Sequence, residues 1–161
     1  MFTLDGMQEF HGWTHSCLHL LLDHLAKLGN DDYRRELPGF GSPTLHQQVL
    51  HIIDCEGFWV NLLQDAPFTR HDPAQFTQVS QASGLLDQVG RETLMFLSSL
   101  SLEQLNSNRE LHFRDGAIAL RTPAFVLHHV LTHAFHHKGQ AVAMCRLLGH
   151  PAPDTDLSQV E

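Results

Sequence analysis

The stretch Thr122-Pro123-Ala124-Phe125-Val126-Leu127-His128-His129-Val130-Leu131-Thr132-His133-Ala134-Phe135-His136-His137-Lys138-Gly139-Gln140 decides how the rest of the chain is read. A hydroxyl followed by proline opens a helix, because the hydroxyl accepts an unpaired backbone N–H and proline has none to leave unpaired. The helix then runs to about Leu148, where Gly149 and Pro151 stop it. Within it, Val126, Val130, His133, His137, Ala141, Met144 and Leu148 recur at steps of three and four, the spacing of one buried face. Two histidines therefore stand in the middle of an apolar stripe. Residues four apart on a helix differ by about 40° in direction and about 6 Å in height, so both imidazoles can reach one ion. Burying either ring without a partner costs roughly a few kcal/mol, and a shared metal ion would satisfy both. His128, His129 and His136 fall off the stripe and read as rim or surface residues.

Three further long segments carry helical periodicity. The first runs from Leu4 to Leu28 on Phe10, Trp13, Cys17, Leu21, Leu25 and Leu28, with Gly29-Asn30 as its stop and a connector from Asp31 to Gly41. Ser42-Pro43 opens the second, which reaches about Gln64 before Asp65-Ala66-Pro67. The third spans Phe76 to Leu100, although Gly84 and Gly90 each cost about 1 kcal/mol against alanine in a helix interior. Ser101-Leu102-Glu103-Gln104 has the form of a capping box, and Leu111 to Leu120, around Arg114-Asp115-Gly116, reads as a brief hairpin or extended loop. The tail after His150, which contains prolines, reads as an ordered or frayed end with no fold of its own. The pattern is that of an all-α four-helix bundle, with residues 1–161 forming one domain.

A third ligand should come from another helix. On the second, His51, Cys55, Phe58 and Leu62 share a face, which makes His51 the candidate for an inward imidazole. Three histidines leave coordination positions open for water or substrate, unlike a closed structural site. His11, His15 and His19 also step by four and form a rival set, but the mixed residues between them, with Gly12 and Ser16, point to a solvated or rim face. His24, His46, His71, His112 and His150 read as surface residues. Cys55 is either a soft ligand or an inert core thiol, and Asp54 either orients an imidazole or forms a surface ion pair. Glu56 and His136 are the candidates for moving protons.

Composition narrows the function classes. Fourteen histidines outnumber the ten Lys plus Arg, and they are spread along helical segments, which directs attention to metal or proton chemistry. A formal charge of −8 without a basic stripe argues against nucleic-acid binding. There is no basic n-region with an apolar h-region at the start and no apolar run of the ~20 residues a membrane span needs, so a cytoplasmic location is expected. Cys17, Cys55 and Cys145 lack any close pairing and read as reduced.

Three segments resemble the DinB/YfiT-like metal-dependent proteins. Phe10-His11-Gly12-Trp13-Thr14-His15 is similar to that family's opening helix, with His15 where Asn is usual. Leu50-His51-Ile52 through Glu56-Gly57-Phe58-Trp59 matches its His, Glu, Trp segment. His129 to Gln140 matches its most specific stretch, with Thr132 and Lys138 departing from the usual Asn and Arg, and Leu147-Leu148-Gly149-His150-Pro151 completes the likeness. The resemblance implies up-down-down-up connectivity, ligands at His51, His133 and His137, nickel or zinc as the divalent ion, and a homodimer. Its subfamilies include thiol transferases and thiol-dependent isomerases, so a metal-dependent enzyme using a low-molecular-weight thiol and a small-molecule substrate is the leading expectation. A small hydrolase with metal-activated water, and a metal-binding stress-response module without turnover, stand beside it.

Overall fold

A computed structural model describes residues 1–160. Four long helices, α1 (Leu4–Leu25), α3 (Leu45–Leu63), α4 (Val79–Ser99) and α6 (Pro123–Leu147), carry most of the chain. Two short helices, α2 (Asn30–Tyr33) and α5 (Leu102–Asn106), a two-stranded hairpin and a terminal 3-10 turn (Leu157–Gln159) complete it. Helix α1 packs against α4 and α6, and α3 packs against the same two, so α1 and α3 face each other across the diagonal. The hairpin pairs β1 (Arg109–His112) with β2 (Ile118–Arg121) antiparallel, and Gly116 at φ +85° makes its turn. Among the described residues, no helix is long and apolar enough to cross a membrane.

The last helix begins where its sequence says it should. The Thr122 hydroxyl accepts the Phe125 backbone N–H, Pro123 occupies the first turn, and Gly149 at φ +85° follows the last. Ser101 caps α5 as a capping box. Other boundaries move. The second long helix starts not at Ser42-Pro43 but at Leu45, because Thr44 caps it through the Gln47 N–H. The carbonyls of Ser42 and Pro43 instead accept the Gln48 side chain and the Leu37 N–H. Helix α1 ends at Leu25, with Lys27 and Leu28 turning more tightly behind it. Gly29, at φ −66°, is then not a left-handed stop but the start of α2. Helix α4 opens at Val79, where the Gln81 side chain accepts the Gln78 backbone N–H. The tail is tied down: buried Lys138 donates to the Thr155 carbonyl and so joins the last segment to α6.

The apolar interior falls into two clusters. One gathers Leu21, Leu25, Ile52, Ile53, Leu86 and Met144, and the other Val60, Leu63, Leu97, Leu111, Leu127 and Leu131. Along α1, α3 and α4 the switch between them is marked by buried polar side chains: His11 and Thr14 on α1, Glu56 on α3 and Thr93 on α4. Buried polar groups persist only when hydrogen-bonded or ligated, so this belt is where chemistry is to be sought.

Candidate metal centre

Among the described residues, two groups of side chains place metal-ligating atoms within 4.8 Å of one another: His51, His133 and His137, and His11, His15 and Glu56. The first lies between α3 and α6. Its ring centroids are 4.9 Å apart for His51 and His133, 4.3 Å for His51 and His137, and 4.4 Å for His133 and His137. The four-residue spacing on α6 stacks two of the rings, and the close packing of α3 on α6 brings in the third.

Burial, and then the neighbouring imidazoles, pushes the pKa of both His133 and His137 down to about 4. Burial, followed by the nearby Arg70 guanidinium, also lowers that of His51. At neutral pH all three rings are uncharged and can offer lone pairs, as metal ligands must. His137 Nδ1 lies 2.8 Å from the Gln48 side-chain oxygen, which accepts its proton and leaves Nε2 free. Gln48, wholly buried, is itself fixed by donating to the Ser42 carbonyl and to the Gln140 side chain. His133 Nδ1 is buried with no hydrogen-bond partner. Neutral convergent rings, an oriented tautomer and an orphaned nitrogen together fit a divalent ion.

A cavity of about 270 Å³ opens against His51 and His133, walled by Phe58 and Trp59, with Arg70 among its lining residues. Cys55 lines it too, but burial, and then the charge of Glu56, pushes its pKa up to about 12, so it stays a thiol. Asp54 lines the cavity as well, but its carboxylate is hydrogen-bonded to His71, accepting the Nδ1–H at 2.6 Å and the backbone N–H at 3.2 Å, and not to one of the three rings. His136 is exposed at the edge, its ring 4.9 Å from that of His137, and its Nε2 accepts from Gln140. His129, read as peripheral, borders the cavity and meets Trp59 edge-on.

Glu56, a candidate for moving protons, lies apart from the three rings and beside His11 and His15. Five residues on from His51, it points about 140° away around α3, into the bundle centre. There His11 Nε2 lies 2.8 Å from one carboxylate oxygen, His15 Nε2 lies 2.9 Å from the other, and the Thr93 hydroxyl donates at 2.6 Å. Burial alone would raise the pKa of Glu56, but hydrogen bonds from the two imidazoles and their charge outweigh it and hold the carboxyl well below the usual range. The solvated-face reading of His11 and His15 is thus overturned, and only His19, paired with Asp87, sits at the rim. The signal was present: His11, Thr14, Leu18, Leu22 and Leu25 step as one buried stripe, with His15 beside it. His46, read as a surface residue, is also buried and hydrogen-bonded to the Phe76 carbonyl. Gln48 and Gln140 were missed altogether, although each stands three residues from a triad histidine and so on the same helix face.

A helical bundle with convergent His and Glu side chains defines a class of candidate metal-binding proteins. The chain belongs to the DinB family, whose sequence model matches residues 4–161. It is 22% identical over 158 residues to Protein DinB of Bacillus subtilis (strain 168), covering 93% of this chain and 88% of that protein. Its fold is similar to a conserved protein from Enterococcus faecalis, with a TM-score of 0.66 and 17% identity, covering 92% of this chain and 98% of that one. A DinB-like protein from Bacillus subtilis matches with a TM-score of 0.63 and 20% identity, again over 92% and 98%.

Proposed function

We propose that His51, His133 and His137 hold one divalent ion, zinc or nickel, and that the chain is a metal-dependent enzyme acting with a small thiol. The observation that carries this reading is the convergence of three neutral imidazoles beside a cavity large enough for a small molecule. An ion bound there supplies Lewis acidity that lowers the pKa of a thiol beside it. Gln48 keeps His137 in the tautomer that can ligate, and Phe58 and Trp59 exclude water from one side of the cavity. Arg70 offers the cavity a guanidinium that can meet an anionic group of a reactant, while the Asp54 carboxylate in the same lining is engaged by His71. His136 is the proton-handling group within reach of the site's edge, whereas Glu56 supports the fold from the bundle centre.

The same reading takes the helices in the up-down-down-up order of the family, a cytoplasmic homodimer as the working form, and no nucleic acid as partner, the last supported by the net charge of −8. The experiment is to load purified protein with zinc or nickel and follow loss of common low-molecular-weight thiols in the presence of a panel of electrophiles. Metal-dependent consumption that disappears in His133→Ala is expected. No consumption with any pair would exclude the thiol reaction, and ester or amide turnover without thiol would assign the site to hydrolysis instead.

A further inference from the structure

The cluster on the other side of α3 has no part in the thiol reaction. Its three groups come from helices that face each other across the bundle diagonal, and their side chains are 4% exposed for His11 and Glu56 and 12% for His15. An ionised carboxylate buried this far requires a positive charge beside it. Among the described residues, neither Lys nor Arg pairs with Glu56, so that charge comes either from protonated His11 and His15 or from a cation bound between the three groups. The donor atoms of the three groups lie within 4.8 Å of one another, with the imidazole nitrogens hydrogen-bonded to the carboxylate oxygens at 2.8 and 2.9 Å; adjacent donors on one ion at about 2.1 Å stand about 3.0–3.4 Å apart, so a small outward shift of the rings would admit it. Room for the His15 ring is specifically kept: a Cβ on Gly90 would lie 2.7 Å from its Cε1. His11 meets the carboxylate through Nε2, and its Nδ1 is buried without a partner, so the ring presents a single nitrogen to the cluster.

From this arrangement we infer that His11, His15 and Glu56 form a second divalent-cation site, independent of the three-histidine centre and structural in role. Two imidazoles and a carboxylate suit a first-row ion such as zinc, manganese or iron(II), harder in preference than a site of three imidazoles. The ion replaces protons held between the rings and the carboxylate, and it clamps α1 to α3 where the two apolar clusters part. Burial closes the site to substrate, so loading accompanies folding.

The test is the metal content of the full chain, refolded from denaturant in excess zinc(II) or cobalt(II) and freed of loose ion. Two equivalents are expected for the natural sequence, one for His133→Ala, one for His15→Ala and none for the double variant. In His133→Ala, which leaves the second cluster untouched, bound cobalt should give the visible spectrum of a mixed nitrogen and oxygen set. A His133→Ala protein that binds no ion would overturn the inference while leaving the three-histidine reading intact. A His133→Ala protein that keeps as many ions as the natural sequence would instead remove the three-histidine centre. Because the first outcome needs no substitution in the buried cluster, it decides the matter even if His15→Ala fails to fold.

Discussion

His137 and Gln48, 89 residues apart in the chain, meet through one hydrogen bond of 2.8 Å that fixes which imidazole nitrogen faces His51 and His133. The amide sits between its bond to the ring and two donations of its own, so it cannot turn without losing all three. Replacing Gln48 with leucine keeps the volume and frees the ring. Metal affinity at the three-histidine centre should fall about 10- to 100-fold, the usual effect of removing a group that orients a ligand. Titration calorimetry would read it; unchanged affinity would show that packing alone holds the ring.

Binding to the folded state alone also stabilises it by mass action. Zinc at 100 times its dissociation constant should add about 2.7 kcal/mol at one site. The rise in melting temperature should be reduced in His133→Ala by the share owed to that centre. Equal rises in the two proteins would mean that the zinc acts elsewhere.

Much of this arrangement was legible in the sequence, for reasons that differ residue by residue. His133 and His137 sit in an unbroken apolar stripe, and His51 shares its face with Cys55 and Phe58, so periodicity alone selects them. His11 and His15 were set aside because exposed Gly12 and Trp13 between them, and exposed Ser16 after them, hide the narrow buried stripe on α1. Glu56 was picked out, but as a neighbour of His51. Its distance from His51 in sequence suggests proximity, whereas five residues on a helix carry a side chain nearly to the opposite face. Partners such as His71 for Asp54 join a loop to a helix, a contact that no local pattern encodes.

The two glycines of α4 separate propensity from packing. Gly84 is exposed, and a methyl group placed on it would meet nothing within 4 Å, whereas Gly90 is buried against His15. Gly84→Ala should therefore stabilise by about 0.5–1 kcal/mol through the unfolded chain and helix propensity. Gly90→Ala should destabilise by about 1–3 kcal/mol despite the same gain in propensity, because the His15 ring must move. Urea melts of the two variants should shift in opposite directions. Stabilisation of both would show that the His15 ring has space to yield.

Acid should weaken the metal-free protein in two stages. His133 and His137 have folded pKa values of about 4, below the ordinary histidine value of 6.5, so between these pH values the unfolded chain binds more protons. Their neutral burial therefore favours the fold fully above about pH 6.5, and that advantage is lost as the pH falls towards 4. Glu56 is also depressed, so its contribution is present above the ordinary carboxylate range and is lost below it as the unfolded chain takes up the proton. Stability in urea should thus begin to fall near pH 6.5 and fall again below about pH 4.5. His133→Ala should flatten the first stage and keep the second, while Glu56→Gln should remove the second. A single transition that starts only below pH 4.5 in the natural sequence would mean that the three imidazoles are not held neutral by burial.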